Sequence, residues 1–141
     1  MVILDTDHLT LLEWTRREDT ECLRARLSDL KEDEKATTVI NYEEQVRGWM
    51  TYLARTRSVA QEIEAYRRLK RQLEYYCAIK VLDFDERAAT EYQRLRKARL
   101  RVGTMDLKIA AIVLAHSATL LSRNRSDFGQ VPGLKVEDWT T

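Results

Sequence analysis

Val2, Ile3 and Leu4 form an apolar run without alternation, the pattern of a short strand covered on both faces. The run ends in "DTDHL", where two aspartates flank a threonine. A carboxylate there either caps the next helix or stands at the rim of a parallel sheet, where ligands of open α/β folds collect. Helical spacing follows in "DHLTLLEW" and again in "TECLRARLSDL", where Cys22, Leu23, Leu27 and Leu30 recur on one face. "KEDEK" reads as a solvated turn and "ATTVI" as a second strand. Asn41 is placed to cap the helix after it, in which Tyr42, Val46, Trp49, Met50 and Leu53 share a side.

Residues 59–78 read as a long basic helix, "IKVLDF" as a third strand, and "DERAATEYQRLRKARL" as a helix begun by Asp83 or Asp85. In "GTMDLKIAAIVLAHS" the periodicity disappears because the segment is apolar nearly all round, which predicts a capped and buried helix. A strand over Thr119–Leu121, a polar turn and a last strand in "LKVEDW" complete the chain. Strands alternating with helices predict an α/β fold: a parallel β-sheet flanked by helices on both faces.

Composition narrows the classes. The 141 residues fit a single domain, 1–141, large enough to bury a core without metal or disulfide staples. Lys and Arg number 24 against 23 Asp and Glu, so nucleic acid would have to be met by local patches, since the whole surface is not a polycation. Cys22 and Cys77 lie in no CxxC or CxxH spacing and read as free thiols. The apolar start at Met1 lacks the basic region and cleavage site of a signal peptide, and the unbroken apolar run Ile109–Ala115 is far short of the ~20 residues that cross a bilayer. A cytoplasmic protein without a membrane span is expected.

Carboxylates recur at element ends. Asp5 closes the first strand, Glu43 and Glu44 open the helix after the second, Asp106 lies in the first turn of the buried helix, and Asp127 follows "TLLS". In a parallel sheet these ends converge at one edge. Gathered carboxylates repel, and some would take up protons unless a cation stood among them. Oxygen ligands without histidine or cysteine suit a hard ion, Mg²⁺ or Mn²⁺, of the kind that serves phosphodiester hydrolysis. Each acid also has a structural reading: Asp5 and Asp7 as caps, Glu44 through its capping-box spacing from Asn41, Asp106 at a helix dipole, and Asp127 as an Asx-turn residue.

The stretches "VILDTDHL", "TTVINYEEQVRG", "GTMDLKIAAI" and "LLSRNRSDF…VPGLKVEDW", in this order and spacing, resemble the PIN domain, and within it the VapC-like ribonuclease toxins of bacterial toxin–antitoxin pairs. The resemblance runs end to end. It implies a compact PIN-like α/β/α fold and Mg²⁺- or Mn²⁺-dependent cleavage of RNA. It implies that Asp5, Glu44, Asp106 and Asp127 are the metal-holding and catalytic acids, supported by Thr6, Ser122 and Asn124. It further implies a cognate antitoxin that masks the cleft through a basic side chain, and a homodimer. Where the family often carries leucine after its glutamate, this chain has Gln45. A helical wheel turns Glu43 rather than Glu44 toward the Tyr42 and Val46 face, against the family register; the register is followed here, because an ideal wheel is a poor guide in a first turn.

The segment "RLRKARLR" puts Arg94, Lys97 and Arg101 on one helical face, an expected hold on the RNA backbone; the alternative is a solvated face paired with Glu91. For Arg67, Arg68, Lys70 and Arg71 the solvated reading is preferred. Trp14, Trp49, Tyr52 and Tyr66 read as core or interface residues before base-stacking platforms, and the resemblance assigns some of them to a dimer interface or an antitoxin groove. His8 and His116, the only histidines, read as structural, which moves weight from imidazole acid–base chemistry toward a metal. Two rivals use the same residues: a Mg²⁺-dependent nuclease or phosphatase acting on DNA or nucleotides, and an inactive PIN-like module that binds RNA or protein without cutting.

Overall fold

The computed structural model describes residues 1–141. Five short strands, β1 (Val2–Leu4), β2 (Lys35–Thr38), β3 (Lys80–Leu82), β4 (Thr119–Leu121) and β5 (Lys135–Glu137), form one sheet in the order β3-β2-β1-β4-β5. Every pairing is parallel, with Ile3 of β1 opposite Ala36 on one side and Leu120 on the other. Seven helices connect them: α1 (Thr6–Trp14), α2 (Glu21–Ser28), α3 (Val39–Arg55), α4 (Val59–Ala78), α5 (Glu86–Lys97), α6 (Thr104–Ala115) and α7 (Arg125–Phe128).

Both faces are covered at the central strand β1, which is why it lacks polar alternation, whereas the edge strand β5 reads Lys-Val-Glu with its charged ends exposed. On one face Ile3, Ala36 and Leu120 pack with the apolar body of α6, with Ala88 and Leu95 of α5, and with Phe128. On the other, Val2, Leu4 and Leu121 meet Leu9 of α1, Leu23 and Leu27 of α2, Tyr76 of α4 and Trp139. Successive residues of one strand thus serve opposite cores, and a single register slip would exchange the two sets.

Several boundaries differ from the sequence reading. β2 stops at Thr38, and Val39 and Ile40 already belong to α3. Its N-cap is Thr38, whose Oγ1 accepts the Asn41 N–H at 3.1 Å, so Asn41 is not the cap but a buried residue of the first turn. Thr38 and Asn41, three residues apart, are both N-cap types, and the earlier one caps because threonine can end the strand and start the helix at once. Met50 is 53% exposed, so the expected α3 face is only partly inward. A 3-10 turn over Arg17–Thr20 precedes α2, and another over Glu32–Glu34 shapes the acidic turn before β2. Asp85, not Asp83, caps α5, its carboxylate accepting from the Ala88 N–H. The helix ends at Lys97, three residues early, and Arg99 takes a left-handed φ of 53°. The "polar turn" after β4 includes the one-turn helix α7; a side chain at its C-terminal Gly129 would collide with the Arg125 carbonyl, 2.5 Å from the position of a Cβ.

Candidate active site at the switch point of the sheet

β1 is flanked by β2 and by β4, so the chain turns opposite ways from it and leaves a crevice at the carboxyl ends of these strands. Asp5 leaves β1 into α1, Thr38 leads from β2 into α3, and Ser122 follows β4. Because α6 runs back across the sheet before β4, its first turn, with Asp106, lies at the same edge.

Asp5 is 8% exposed and accepts three hydrogen bonds. Its Oδ1 accepts from the Thr6 N–H at 2.9 Å and from Asn41 Nδ2 at 2.8 Å, and its Oδ2 accepts from the Ser122 hydroxyl at 2.7 Å. It caps α1, so its structural role and its placement in the crevice coexist. Burial raises its pKa above the ordinary carboxylate value, the bonds from Ser122 and Thr6 working the other way and the neighbouring Asp7 adding to the rise. Thr6 Oγ1 also accepts from Asn41 Nδ2, at 3.0 Å.

Glu44 lies one helical turn beyond Thr38 and Asn41 in α3, half-buried, with its Oε1 enclosed and without a hydrogen-bond partner. Its pKa is pushed up to about 7, first by burial, then by the charges of Asp5, Asp106 and Glu43. Asp106 is raised by burial, Asp5 and Asp127. These acids, scattered over the sequence, therefore share one field. Glu43 is turned to an ion pair with Arg47 at 2.6 Å, so it is Glu44 that stands in the field of Asp5 and Asp106. Asp127 sits in α7, where Asn124 caps the turn and donates through Nδ2 to Asp127 Oδ2 at 3.1 Å. Ser122, fully buried, accepts the Asn124 N–H at 3.0 Å while donating to Asp5, so one hydroxyl ties the two acidic segments together.

No group of three or more His, Cys, Asp or Glu side chains is drawn together tightly enough to hold a metal ion as it stands. The donor set nevertheless suits a hard cation: all of it is oxygen, and an enclosed carboxylate oxygen of Glu44 has no donor. The pKa values of Asp5, Glu44 and Asp106 are raised first by burial and then by neighbouring carboxylates, and a cation among them would offset the charge that burial disfavours.

Residues read from the sequence in structural roles alone surround these acids. Asn41, with no exposed surface, receives the Thr38 hydroxyl at Oδ1 and spends Nδ2 on Asp5 and Thr6. The Thr-x-x-Asn spacing from Thr38 was the available signal. Asp7 accepts the Arg123 N–H at 2.9 Å and the His8 Nδ1–H at 2.6 Å, joining α1 to the segment after β4. His8 is wholly buried and its Nε2 accepts the Trp139 N–H, a structural role as expected. His116, at the end of α6, is exposed at the opposite edge of the sheet. Gln45 accepts the Tyr76 hydroxyl, which gives the departure from leucine a polar partner against the core.

The basic residues are less united than the sequence suggested. Arg94 pairs with Glu91 through two donors, at 3.0 and 2.7 Å. Lys97 is the last residue of α5, and Arg101 lies beyond the left-handed turn, so the three do not share a helical face. All are exposed, and Arg101 stands just ahead of Gly103, the N-cap of the helix that carries Asp106. On α4, Arg68 pairs with Glu64 and Arg71 donates to the Glu13 carbonyl, both against the Trp14 ring.

A parallel sheet with a carboxylate at the end of its first strand, and further acids on the helices at the same edge, defines an open α/β fold whose site lies at a topological switch point. The PIN domain family matches residues 2–134, nearly the whole chain, and the protein belongs to that family. Within it, the chain is 32% identical over 65 residues to Ribonuclease VapC2 of Rickettsia felis, a match spanning 43% of this chain and about half, 48%, of that protein. Solved structures share the fold. VapBC2 from Rickettsia felis, bound to a DNA fragment from their promoter, superposes with a TM-score of 0.74 at 22% identity, covering 99% of both chains. VapBC from Salmonella typhimurium, also DNA-bound, gives 0.73 at 21%, and FitAcB from Neisseria gonorrhoeae 0.70 at 24%, each covering 98% of this chain and 97% of that one. No helix is long and apolar enough to cross a membrane.

Proposed function

We propose that this chain is a Mg²⁺- or Mn²⁺-dependent endoribonuclease of the VapC type, acting in the cytoplasm as the toxin of a toxin–antitoxin pair. The observation that carries the reading is the gathering of Asp5, Glu44 and Asp106 at the switch point, with Asp127 in the field of Asp106: burial there raises Glu44 to about 7, and the charges of Asp5 and Asp106 add to the rise. These residues would hold the ion. Bound there, it would acidify and orient the attacking water and offset the charge that gathers on phosphorus.

The chain's own groups set the stage for that chemistry. Asn41, Thr6 and Ser122 fix both oxygens of Asp5, and Asn124 fixes one oxygen of Asp127, so neither acid has to be ordered when substrate arrives. Arg101, just ahead of the helix that carries Asp106, and Lys97 would meet RNA phosphates, with Arg94 held by Glu91. A ribonuclease of this kind needs restraint in its own cell, which a cognate antitoxin reaching the acids with a basic side chain would supply. The VapBC assemblies among the structural relatives support that expectation.

The test is incubation of the purified protein with total cellular RNA, with Mg²⁺, with Mn²⁺ and with EDTA, followed by mapping of new ends. Cleavage is expected only with metal, and is expected to vanish in Asp5→Asn and Asp106→Asn variants that keep the wild-type circular dichroism. RNA that is bound yet uncut would favour a non-catalytic module. Cleavage of single-stranded DNA in preference to RNA would move the substrate.

A further inference from the structure

A cleft of about 580 Å³ opens beside the acids, and Thr6 and Glu44 belong to its wall. Its far side is aromatic. The Trp14 and Trp49 ring centroids are 6.2 Å apart, Tyr52 stands edge-on to Trp49 at 5.9 Å, and the Arg68 guanidinium lies 5.6 and 5.9 Å from the two indoles. Between the acids and the rings sits Gly48, well inside α3.

That glycine has no structural occupation. Its φ is not positive, and a Cβ built on it meets nothing within 4 Å. Glycine is the weakest helix former after proline, so its place in a seventeen-residue helix weakens α3 without relieving any crowding. What it does is keep the cleft open between Glu44 and Trp49.

We propose that this cleft receives an unpaired nucleobase of the RNA, stacked on the Tyr52 ring with the near-perpendicular Trp49 ring against its edge, adjoining the phosphate that is cut. The inference rests on the ribonuclease reading above and adds to it where the substrate's base is held. Aromatic faces and a guanidinium are the groups on which extruded or single-stranded bases stack, and they tolerate any sequence because every base has a π-face. Continuity is what selects a base over a protein segment: the wall that carries the rings also carries Glu44, so a strand whose phosphate lies at the acids brings a neighbouring base to the cleft. Arg68, paired with Glu64, brings a guanidinium to the aromatic side of a wall that also carries Glu44, and an anionic strand would favour that side.

The experiment compares a fluorescent single-stranded RNA oligomer with an abasic oligomer of the same length, binding in EDTA to the Asp106→Asn protein so that no cutting intervenes. RNA should bind about tenfold more tightly than the abasic strand. Adding Gly48→Leu, which fills the cleft from open space, should bring the two within about twofold, while Gly48→Ala should keep most of the difference. Both helix-strengthening changes should unfold no earlier than their parent; should the leucine variant do so, Tyr52→Ala, at a ring 45% exposed, replaces it with the same expectation. Equal binding of RNA and abasic strand by the parent overturns the proposal and leaves the cleft to a protein segment, and an undiminished preference in the filled cleft overturns it as well. If the preference appears and is lost as described while the intact chain leaves RNA uncut, the cleft stands and the nuclease reading falls; cutting without any base preference fells the cleft alone.

Discussion

Replacing Glu44 by glutamine should stabilise the metal-free protein at alkaline pH, although it removes a residue that the proposed chemistry requires. The carboxyl is raised from an ordinary 4.5 to about 7 by burial and by Asp5, Asp106 and Glu43. A folded-state value above the unfolded one means that the native state holds the proton more tightly. The group's contribution is therefore fully present below about pH 4.5 and is lost as pH rises through about 7. The whole shift would correspond to roughly 3 kcal/mol, which the residue's half-exposed position cuts to about 1–2 kcal/mol. Glutamine keeps the shape without the charge, so at pH 8.5 it should raise the unfolding midpoint by roughly 3–6 °C, and at pH 4 by almost nothing. The assay is thermal unfolding by circular dichroism from pH 4 to 9, in EDTA and again with Mn²⁺. Manganese should raise the wild-type midpoint at pH 8 and raise the variant's less, because the variant has lost one oxygen ligand. A variant that is less stable than wild type in EDTA at pH 8.5 would refute the picture of acids crowded against one another.

Three further outcomes follow from the same geometry. Asn41→Ala strands the Thr38 hydroxyl and removes two donors from Asp5 and Thr6, and should cost about 2–4 kcal/mol in urea unfolding, with a fall in RNA cleavage beyond what the loss of folded protein explains. His8→Ala empties a wholly buried site between Asp7 and Trp139 and should cost a comparable about 2–4 kcal/mol, with cleavage by the remaining folded protein largely kept. Glutamine at Arg94, Lys97 and Arg101 together should weaken RNA binding and lower the slope of log K against log salt by up to about 2, since each phosphate contact to a single strand contributes about 0.7; an unchanged slope removes these residues from the interface.

The local elements could be read from residue type and spacing. Val2–Leu4 and the all-round apolar α6 are written in their own composition, because burial on both faces or on all sides leaves no polar positions, and the long helix Val59–Ala78 is written in its amphipathic spacing. The order of strands and helices was also enough to predict that carboxylates distant in the chain meet at one edge of a parallel sheet. The same local rules misplaced the start of α3. Thr38 and Asn41 are both good caps by type, and only the packing of β2 against β1 and β3, which carries Thr38 to the strand end, decides between them.

Other features belong to tertiary structure alone. Which of Glu43 and Glu44 faces Asp5 and Asp106 depends on how α3 is rotated against the sheet edge, a degree of freedom that neighbouring residues in a sequence do not reveal. The raised pKa of Glu44 is a property of charges contributed from residues 5 and 106, and exists only when the chain has brought them near. The cleft beside them likewise joins Trp14 of α1, Trp49 of α3 and Arg68 of α4. Periodicity and capping act over a few residues, so the sequence by itself determined the elements and their order; fields, enclosed atoms and clefts act through space, so only the packed fold decided the site.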